Sequence, residues 1–226
     1  WGEKIMKTER LNITKFTLDM VEAVHRNSLD EDNRKFNPNE VFETIEDAQD
    51  TVEFLMSVYE NGEGPLVYPI LLTDGANIGY VQAVPMDEGK WEVGYHIAKA
   101  YTGNGYAMEA VKAFLPIIMK KLNIKEILGI CVFENIASIK VLEKTGFTKV
   151  FEGMFEITSL VGNVTRKDSE VYLHIHINFG DEDGIVKGGH LVKATISATS
   201  EIILRKVDGK VNRKLSEEIG LNLLEF

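Results

Sequence analysis

The sequence predicts an α/β (α+β) protein, a mixed sheet flanked by helices and followed by a smaller β-rich module. Three observations predict it. Up to about residue 153, strand-like and helix-period stretches alternate after a short meander, which suits a sheet with covering helices. Inside that region "YTGNGYAMEAV" (101–111) sets two glycines and an alanine directly ahead of an apolar helical run. After Gly153 the texture turns almost wholly strand-like, broken by "RKDS" and "DEDG" turn signals.

The elements follow in order. "ERLNITKFT" reads as a first strand through Leu11, Ile13 and Phe16. "TLDMVEAVHRNSL" reads as a helix with Thr17 as its cap, and "TIEDAQDTVEFLMSVYENG" as a second one ended by Gly62. A polar connection containing Pro38 separates them. Three strands follow, "LVYPILLT", "ANIGYVQAV" and "KWEVGYHIA", divided by "DG" and "MDEG". The helix after the glycine loop carries Ala107, Val111, Phe114, Ile118 and Leu122 at the spacing of one buried face. "KEILGICVF" reads as a buried strand, "NIASIKVLEKTGF" as a short helix ended by Gly146, and "KVFEG" as the start of another strand. Beyond it, "FEITSLVGNV", "EVYLHIHINF", "GIVKGGHLVKATISA" and "SEIILRKV" read as strands, with helical periodicity returning only at "KLSEEIG".

Composition narrows the function. The chain of 226 residues carries a net charge of −10, which argues against a broad basic face for nucleic acid and suits a cationic partner such as an amine. Residues 1–153 hold 16 basic against 24 acidic side chains, and the remainder 9 against 11. No apolar stretch is long enough to span a bilayer, no signal-peptide pattern opens the chain, and the single Cys131 fits a reducing cytoplasm. Cys131 sits in an apolar run and reads as a buried structural thiol.

A strand, then Gly103, Gly105 and Ala107, then a helix is an arrangement that can hold a pyrophosphate. Small residues let the backbone approach, and unpaired helix-terminal amides favour an anion. A tight turn before a core helix has the same pattern, and the spacing matches neither a P-loop nor a dinucleotide fingerprint.

The wider context, "WEVGYHIAKAYTGNGYAMEAV" followed by "NIKEILGICVFENIASIKVLEKTGF", strongly resembles the GNAT superfamily of acyl-CoA-dependent N-acyltransferases. It is most similar to the branch of ribosomal-protein N-terminal alanine acetyltransferases and their spermidine-acetylating relatives. "KTERLNITKFTLDM" and "PILLTDGANIGYV" extend the likeness over about residues 6–153. The resemblance implies acetyl-CoA as cosubstrate, its pyrophosphate cradled by Thr102, Gly103, Asn104, Gly105, Tyr106 and Ala107. Where the family pattern has Gln or Arg, this chain has Thr102, which removes one side-chain contact and leaves the backbone cradle.

An amine attacks a thioester only when neutral, so such a site needs a proton acceptor, orientation of both reactants and donors for the developing oxyanion. Glu92 matches the branch's glutamate proposed as base, often through water; the alternative is a solvated strand residue. Asn135 and Ser138 match a polar pair near the cofactor arm and thiol. Asn135 also suits a helix cap, and Ser138 is the candidate general acid. Many other branches carry a tyrosine where this chain has Leu142, leaving Ser138 or solvent as the acid. His96 shares strand parity with Glu92 and reads as structural or substrate-lining. The implied acceptor is a primary amine, either a peptide or protein N-terminus or a small polyamine-like molecule. Asp30, Glu31 and Asp32 are candidates for its recognition, or simply a solvated loop.

Residues 154–226 are similar to the later part of the PPC (plant-and-prokaryote conserved) domain, through Gly188-Gly189-His190 and His174-x-His176. The family's opening strands have no counterpart here, so the chain reads as a fusion joined near "VFEGMF", with "EVYLHIHI" standing in for the final GNAT strand. No AT-hook is present. PPC domains assemble as trimers, so the resemblance implies a homo-oligomer, dimer or trimer. His174 and His176 share one strand face. A three-residue loop with Gly184 in the left-handed position pairs Asp181 with Ile185 and sets His176 opposite His190. Three converging imidazoles suit zinc; the alternative is three outward polar residues opposite a Leu173, Ile175, Ile177 core face. The rival to an enzyme is a PPC-type oligomerising or binding module with an inactive GNAT half.

Overall fold

Leu11, Ile13, Ile70, Ile78 and Val81 have no solvent exposure and lie on neighbouring strands of one antiparallel sheet. The computed structural model describes residues 6–62, 64–197, 199–209, 211–217 and 221–225. The chain divides into two compact units, Trp1–Phe147 and Thr148–Phe226.

In the first unit, β1 (Met6–Lys7), β2 (Leu11–Ile13), β3 (Leu66–Leu72), β4 (Asn77–Pro85) and β5 (Trp91–Ile97) pair antiparallel in chain order. β3 is apolar along its length because both of its faces are covered. Val67 packs with Val52 and Leu55 of α3 (Ile45–Asn61) and with Val21 of α1 (Val21–Ser28). Tyr68 and Ile70 pack on the opposite face with Val111, Phe114 and Ile118 of α4 (Tyr106–Leu122). α3 starts at a reciprocal Thr44–Asp47 capping box and ends at Gly62 in the left-handed region, as its sequence predicts.

Four readings of this part of the chain change. The polar connection before α3 contains a helix, α2 (Glu31–Phe36), and a 3-10 turn at Pro38–Glu40. Asp30 Oδ1 accepts from the Asn33 amide at 2.8 Å and so caps α2. Thr17 precedes a 3-10 turn at Leu18–Met20 and makes no side-chain cap. The apolar run 125–133 is no regular strand: only Leu128 bridges β5, beside Glu92 and parallel to it. Val93 N donates to Leu128 O at 2.7 Å and Leu128 N to Trp91 O at 2.8 Å, and there the pairing stops. α5 (Ile136–Lys144) follows, capped by Asn135, and 149–153, expected to start a strand, is irregular.

The second unit is a five-stranded sheet in the order β10-β9-β6-β7-β8. β6 (Glu156–Lys167) and β7 (Glu170–Gly180) form a long hairpin through Asp168 and Ser169, both at positive φ, as a type I′ turn requires. β8 (Val186–His190) returns through the expected three-residue loop: Asp181 N donates to Ile185 O at 3.1 Å, and Gly184 has φ 76°. β7 has both partners, β6 and β8, inside this sheet, so it does not complete the first one. β9 (Asn212–Ser216) and β10 (Leu221–Glu225) close the other edge. The helix expected at "KLSEEIG" is therefore strand at Lys214–Ser216, while 218–220 lie outside the described residues. "SEIILRKV" forms no strand, and the strand expected over 184–198 is confined to β8 among the described residues. Of the anticipated core face, Leu173 is 59% exposed, while Ile175 and Ile177 are half-buried. Among the described residues, no helix is long and apolar enough to cross a membrane.

Candidate active site

The site begins where β5 runs into the glycine loop. Gly103 and Gly105 have φ of 81° and 79°, a conformation that L side chains rarely adopt, and Gly105 caps α4. A Cβ on Gly103 would meet nothing, so this part of the loop opens on free space. Glu109 N donates back to Gly105 O, and among the described residues the amides of Tyr106, Ala107 and Met108 have no backbone acceptor. Those unpaired donors and open space fit a bound pyrophosphate.

The loop is braced from the N-terminus. Arg10 Nη1 donates to Asn104 O at 3.0 Å, its guanidinium lies 4.7 Å from the centre of the Tyr106 ring, and Nε donates to Glu109 Oε2 at 2.7 Å. Burial raises the Glu109 pKa, but hydrogen bonds from Thr8 and Arg10 outweigh it and leave the carboxyl below its ordinary value. Asn104 faces its own loop, donating to Tyr101 O and Thr102 O, and Thr102 Oγ1 donates to Lys99 O. Of the six predicted cradle residues, all but Asn104 line a cavity of about 590 Å³.

Glu92, Asn135 and Ser138 line the same cavity. Burial, then the negative charge of Glu40, raises the Glu92 pKa above the usual carboxylate range. Asn135 Oδ1 accepts from Ser138 N at 3.0 Å, so its side-chain oxygen serves the cap. The Tyr95 hydroxyl lies 2.9 Å from Ser138 Oγ and 3.0 Å from Ser138 O. Burial raises the Tyr95 pKa to about 12, opposed by the Ser138 bond, so the phenol is protonated at neutral pH. The strand alternation that turns Val93 N toward Leu128 also turns Tyr95 N to that edge, past the point where 129–133 separates from β5. Ile130, Cys131 and Val132 border the resulting cleft. Cys131 is thus a half-buried thiol on the cavity wall instead of a buried structural one.

The far wall is acidic. Glu40 receives hydrogen bonds from the Tyr80 hydroxyl and, at 3.1 Å, from Gln82 Nε2. His96 Nε2 lies 3.2 Å from Asp30 Oδ2; burial lowers its pKa despite that carboxylate, keeping the ring neutral at neutral pH. Asp32 pairs with Lys99 at 2.5 Å. Asp30 is thereby a cap and a histidine partner, Asp32 borders the cavity, and Glu31 does not. Sequence reasoning missed Arg10, Glu40, Gln82 and Tyr95. Only Tyr95 carried a signal, as a tyrosine three positions after Glu92 and hence on the opposite strand face.

In the second unit, His176 pairs with His190 as the loop arithmetic requires. His174 Nε2 lies 3.2 Å from His176 Nε2 and 3.3 Å from His190 Nε2. Burial, Arg213 and the other two rings lower the His174 pKa.

The sequence matches the family model of the acetyltransferase (GNAT) domain over residues 10–148. It also matches the Plants and Prokaryotes Conserved (PCC) domain over 118–208, a span that starts inside α4 and not at 154. It is 32% identical over 158 residues to the uncharacterized N-acetyltransferase YnaD of Bacillus subtilis, covering 69% of this chain and 88% of that one. A GNAT-family acetyltransferase crystal structure from Bacillus anthracis superposes with a TM-score of 0.53 at 30% identity, over 68% of this chain and 84% of the other. A ribosomal L7/L12 alpha-N-protein acetyltransferase in complex with coenzyme A shares the fold, with a TM-score of 0.56 at 15% identity over 78% and 96% of the two chains. With the family match spanning more than half its length and the site built as described, this chain belongs to the GNAT family of acetyltransferases, its residues 118–208 also matching the PCC domain.

Proposed function

We propose that the protein transfers an acetyl group from acetyl-CoA to a primary amine, a peptide or protein N-terminus or a small polyamine-like molecule, by direct attack on the thioester. The observation that carries this reading is the single cavity joining the glycine loop, Glu92 and Ser138. The amides at 106–108 hold the pyrophosphate, and acetyl-CoA supplies the activated acyl group. Glu92 takes the proton of the attacking amine, directly or through water; its raised pKa brings it closer to neutrality, where a general base works best. The Tyr95 amide on the opened edge of β5 donates to the oxygen that gains charge. Ser138, paired with Tyr95, returns a proton to the departing sulfur. The cytoplasmic setting expected from the lone cysteine belongs to this reading. The test is release of free thiol from acetyl-CoA across an amine panel; no release with any amine would leave the GNAT half a binding unit.

A second reading concerns the PCC unit. Tetrahedral zinc with Zn–N bonds of about 2.0–2.1 Å sets its ligand nitrogens about 3.3 Å apart. The separations of 3.2 and 3.3 Å among the histidines support a divalent-metal site there. Val164, Val171 and Leu173, all more than half exposed on the opposite sheet face, support self-association with further copies of the chain. A monomeric mass by light scattering at micromolar concentration would remove that second element.

A further inference from the structure

Glu40 is held in place without being neutralised. Its backbone is fixed by Asn33, a fully buried side chain whose Nδ2 donates to Glu40 O and Ser28 O at 2.9 Å each. One carboxylate oxygen accepts from the Tyr80 hydroxyl and the other from Gln82 Nε2. Both donors are neutral, and among the described residues no lysine or arginine forms an ion pair with Glu40. Each carboxylate oxygen has room for about two hydrogen bonds, so acceptor capacity remains on the cavity side.

The surrounding charges sharpen the point. No Lys or Arg lines the cavity, although Asp32, Glu40 and Glu92 do. Asp32 is matched by Lys99, and Asp30 lies behind the wall with its oxygens taken by Asn33 N, the Lys99 amide and His96, which leaves Glu40 and Glu92 as the cavity-lining carboxylates without an ion-pair partner among the described residues. Glu92, Gly94 and His96 share one face of β5, across from Val84, Gln82 and Tyr80 of β4. Gly94 leaves room for the Gln82 side chain: a Cβ there would stand 2.7 Å from Gln82 Nε2. The missing side chain is what lets Gln82 reach Glu40 beside Glu92.

We propose that Glu40 is a specificity-determining residue that binds a second cationic nitrogen of the acceptor while Glu92 faces the nitrogen being acetylated. The favoured acceptor is then a diamine or a chain with a basic group beyond the reacting amine. A carboxylate at the same place would meet two like charges and be rejected. This inference rests on the acetyl-transfer reading for its kinetic arm only.

Three four-carbon acceptors test it: 1,4-diaminobutane, butylamine and 4-aminobutyrate. The parent protein should prefer them in that order by kcat/KM. Glu40→Gln keeps the shape, and the Tyr80 hydroxyl can accept from its new amide. The variant should lose the preference for diaminobutane over butylamine by about tenfold or more, mainly in KM, as expected for a charge-assisted contact. The acid limb of its pH profile should also move down, because the charge that helps raise Glu92 is gone. No preference in the parent, or an equal preference in the variant, overturns the proposal while acetyl transfer stands. If the parent acetylates none of the three, calorimetry with diaminobutane decides. Binding that Glu40→Gln abolishes keeps the subsite and removes only the transfer reading; binding that is absent or unchanged removes the subsite as well.

Discussion

The Tyr95 hydroxyl lies 2.9 Å from Ser138 Oγ and 3.0 Å from Ser138 O, tying the edge of β5 to the first turn of α5. When Tyr95 donates to Oγ, the serine proton is free to point into the cavity; when it donates to the carbonyl, its own oxygen accepts from the serine. In the proposed reaction the pair acts as a two-residue proton donor. Ser138→Ala should lower turnover roughly a hundredfold, within the range for general acid–base groups, and Tyr95→Phe should produce most of that loss. Because the two act as a unit, the double variant should cost little more than Ser138→Ala alone. Full additivity of the rate losses would separate the two groups and leave Tyr95 as packing.

Glu92 must be ionised to accept a proton, and burial and Glu40 both raise its pKa. Activity should therefore fall, as pH decreases, at a higher pH than an ordinary carboxylate would give. Glu92→Gln preserves size and removes the acceptor, so turnover should drop by roughly two orders of magnitude while affinity for coenzyme A barely changes. Stopped-assay rates across pH 5 to 9 check both, and equal turnover at neutral pH would make Glu92 an ordinary strand residue.

The legible parts of this molecule are those whose pairing is local. The His176–His190 register followed from a three-residue loop and the period of two, since Asp181 and Ile185 are close in sequence. The glycine loop was readable as a turn ahead of a helix, while its role as a cradle came from the wider family resemblance and not from its spacing. Glu40 was not readable, because it comes from a polar stretch with no apolar periodicity and gains meaning only from contacts 40 and 42 residues away, at Tyr80 and Gln82. Arg10 escaped for the same reason, since it reaches Asn104 across 94 positions. The run 125–133 misled in the other direction. Its β-propensity is real, but propensity reports fit to a half-buried surface, not pairing. Here the chain leaves β5 after Leu128 and so opens the Tyr95 edge to the cavity.

The cradle rests on backbone geometry, so its test is a residue that cannot adopt it. Gly103→Val adds a Cβ that meets no neighbouring atom but places a β-branched side chain at φ 81°, a strain of roughly 1–3 kcal/mol that the loop can relieve only by moving. Calorimetry should show tight coenzyme A binding to the parent and a severe loss in this variant. Arg10→Met keeps much of the packing on Tyr106 but drops the bonds to Asn104 and Glu109, and should weaken binding severalfold. Unchanged affinity in both would remove the loop from the cofactor site.

The histidines of the second unit offer a test independent of acetyl transfer. Ligation needs neutral rings, and the lowered pKa of His174 keeps that ring neutral at neutral pH, so protons compete for it only as pH falls. Arg213 contributes to that shift, yet its guanidinium is engaged by Thr165, Asn163 and the Asn222 carbonyl and is held by them. A metal that binds the folded unit alone raises its melting temperature by linkage, so the purified protein should retain stoichiometric metal and melt lower after chelation. His174→Ala with His190→Ala should abolish the chelator effect. Acetyl transfer should continue in that variant, since every residue assigned to it lies in the first unit. If elemental analysis finds no stoichiometric metal and chelator leaves melting unchanged, His174, His176 and His190 are surface residues that stack on one another across a structural hairpin.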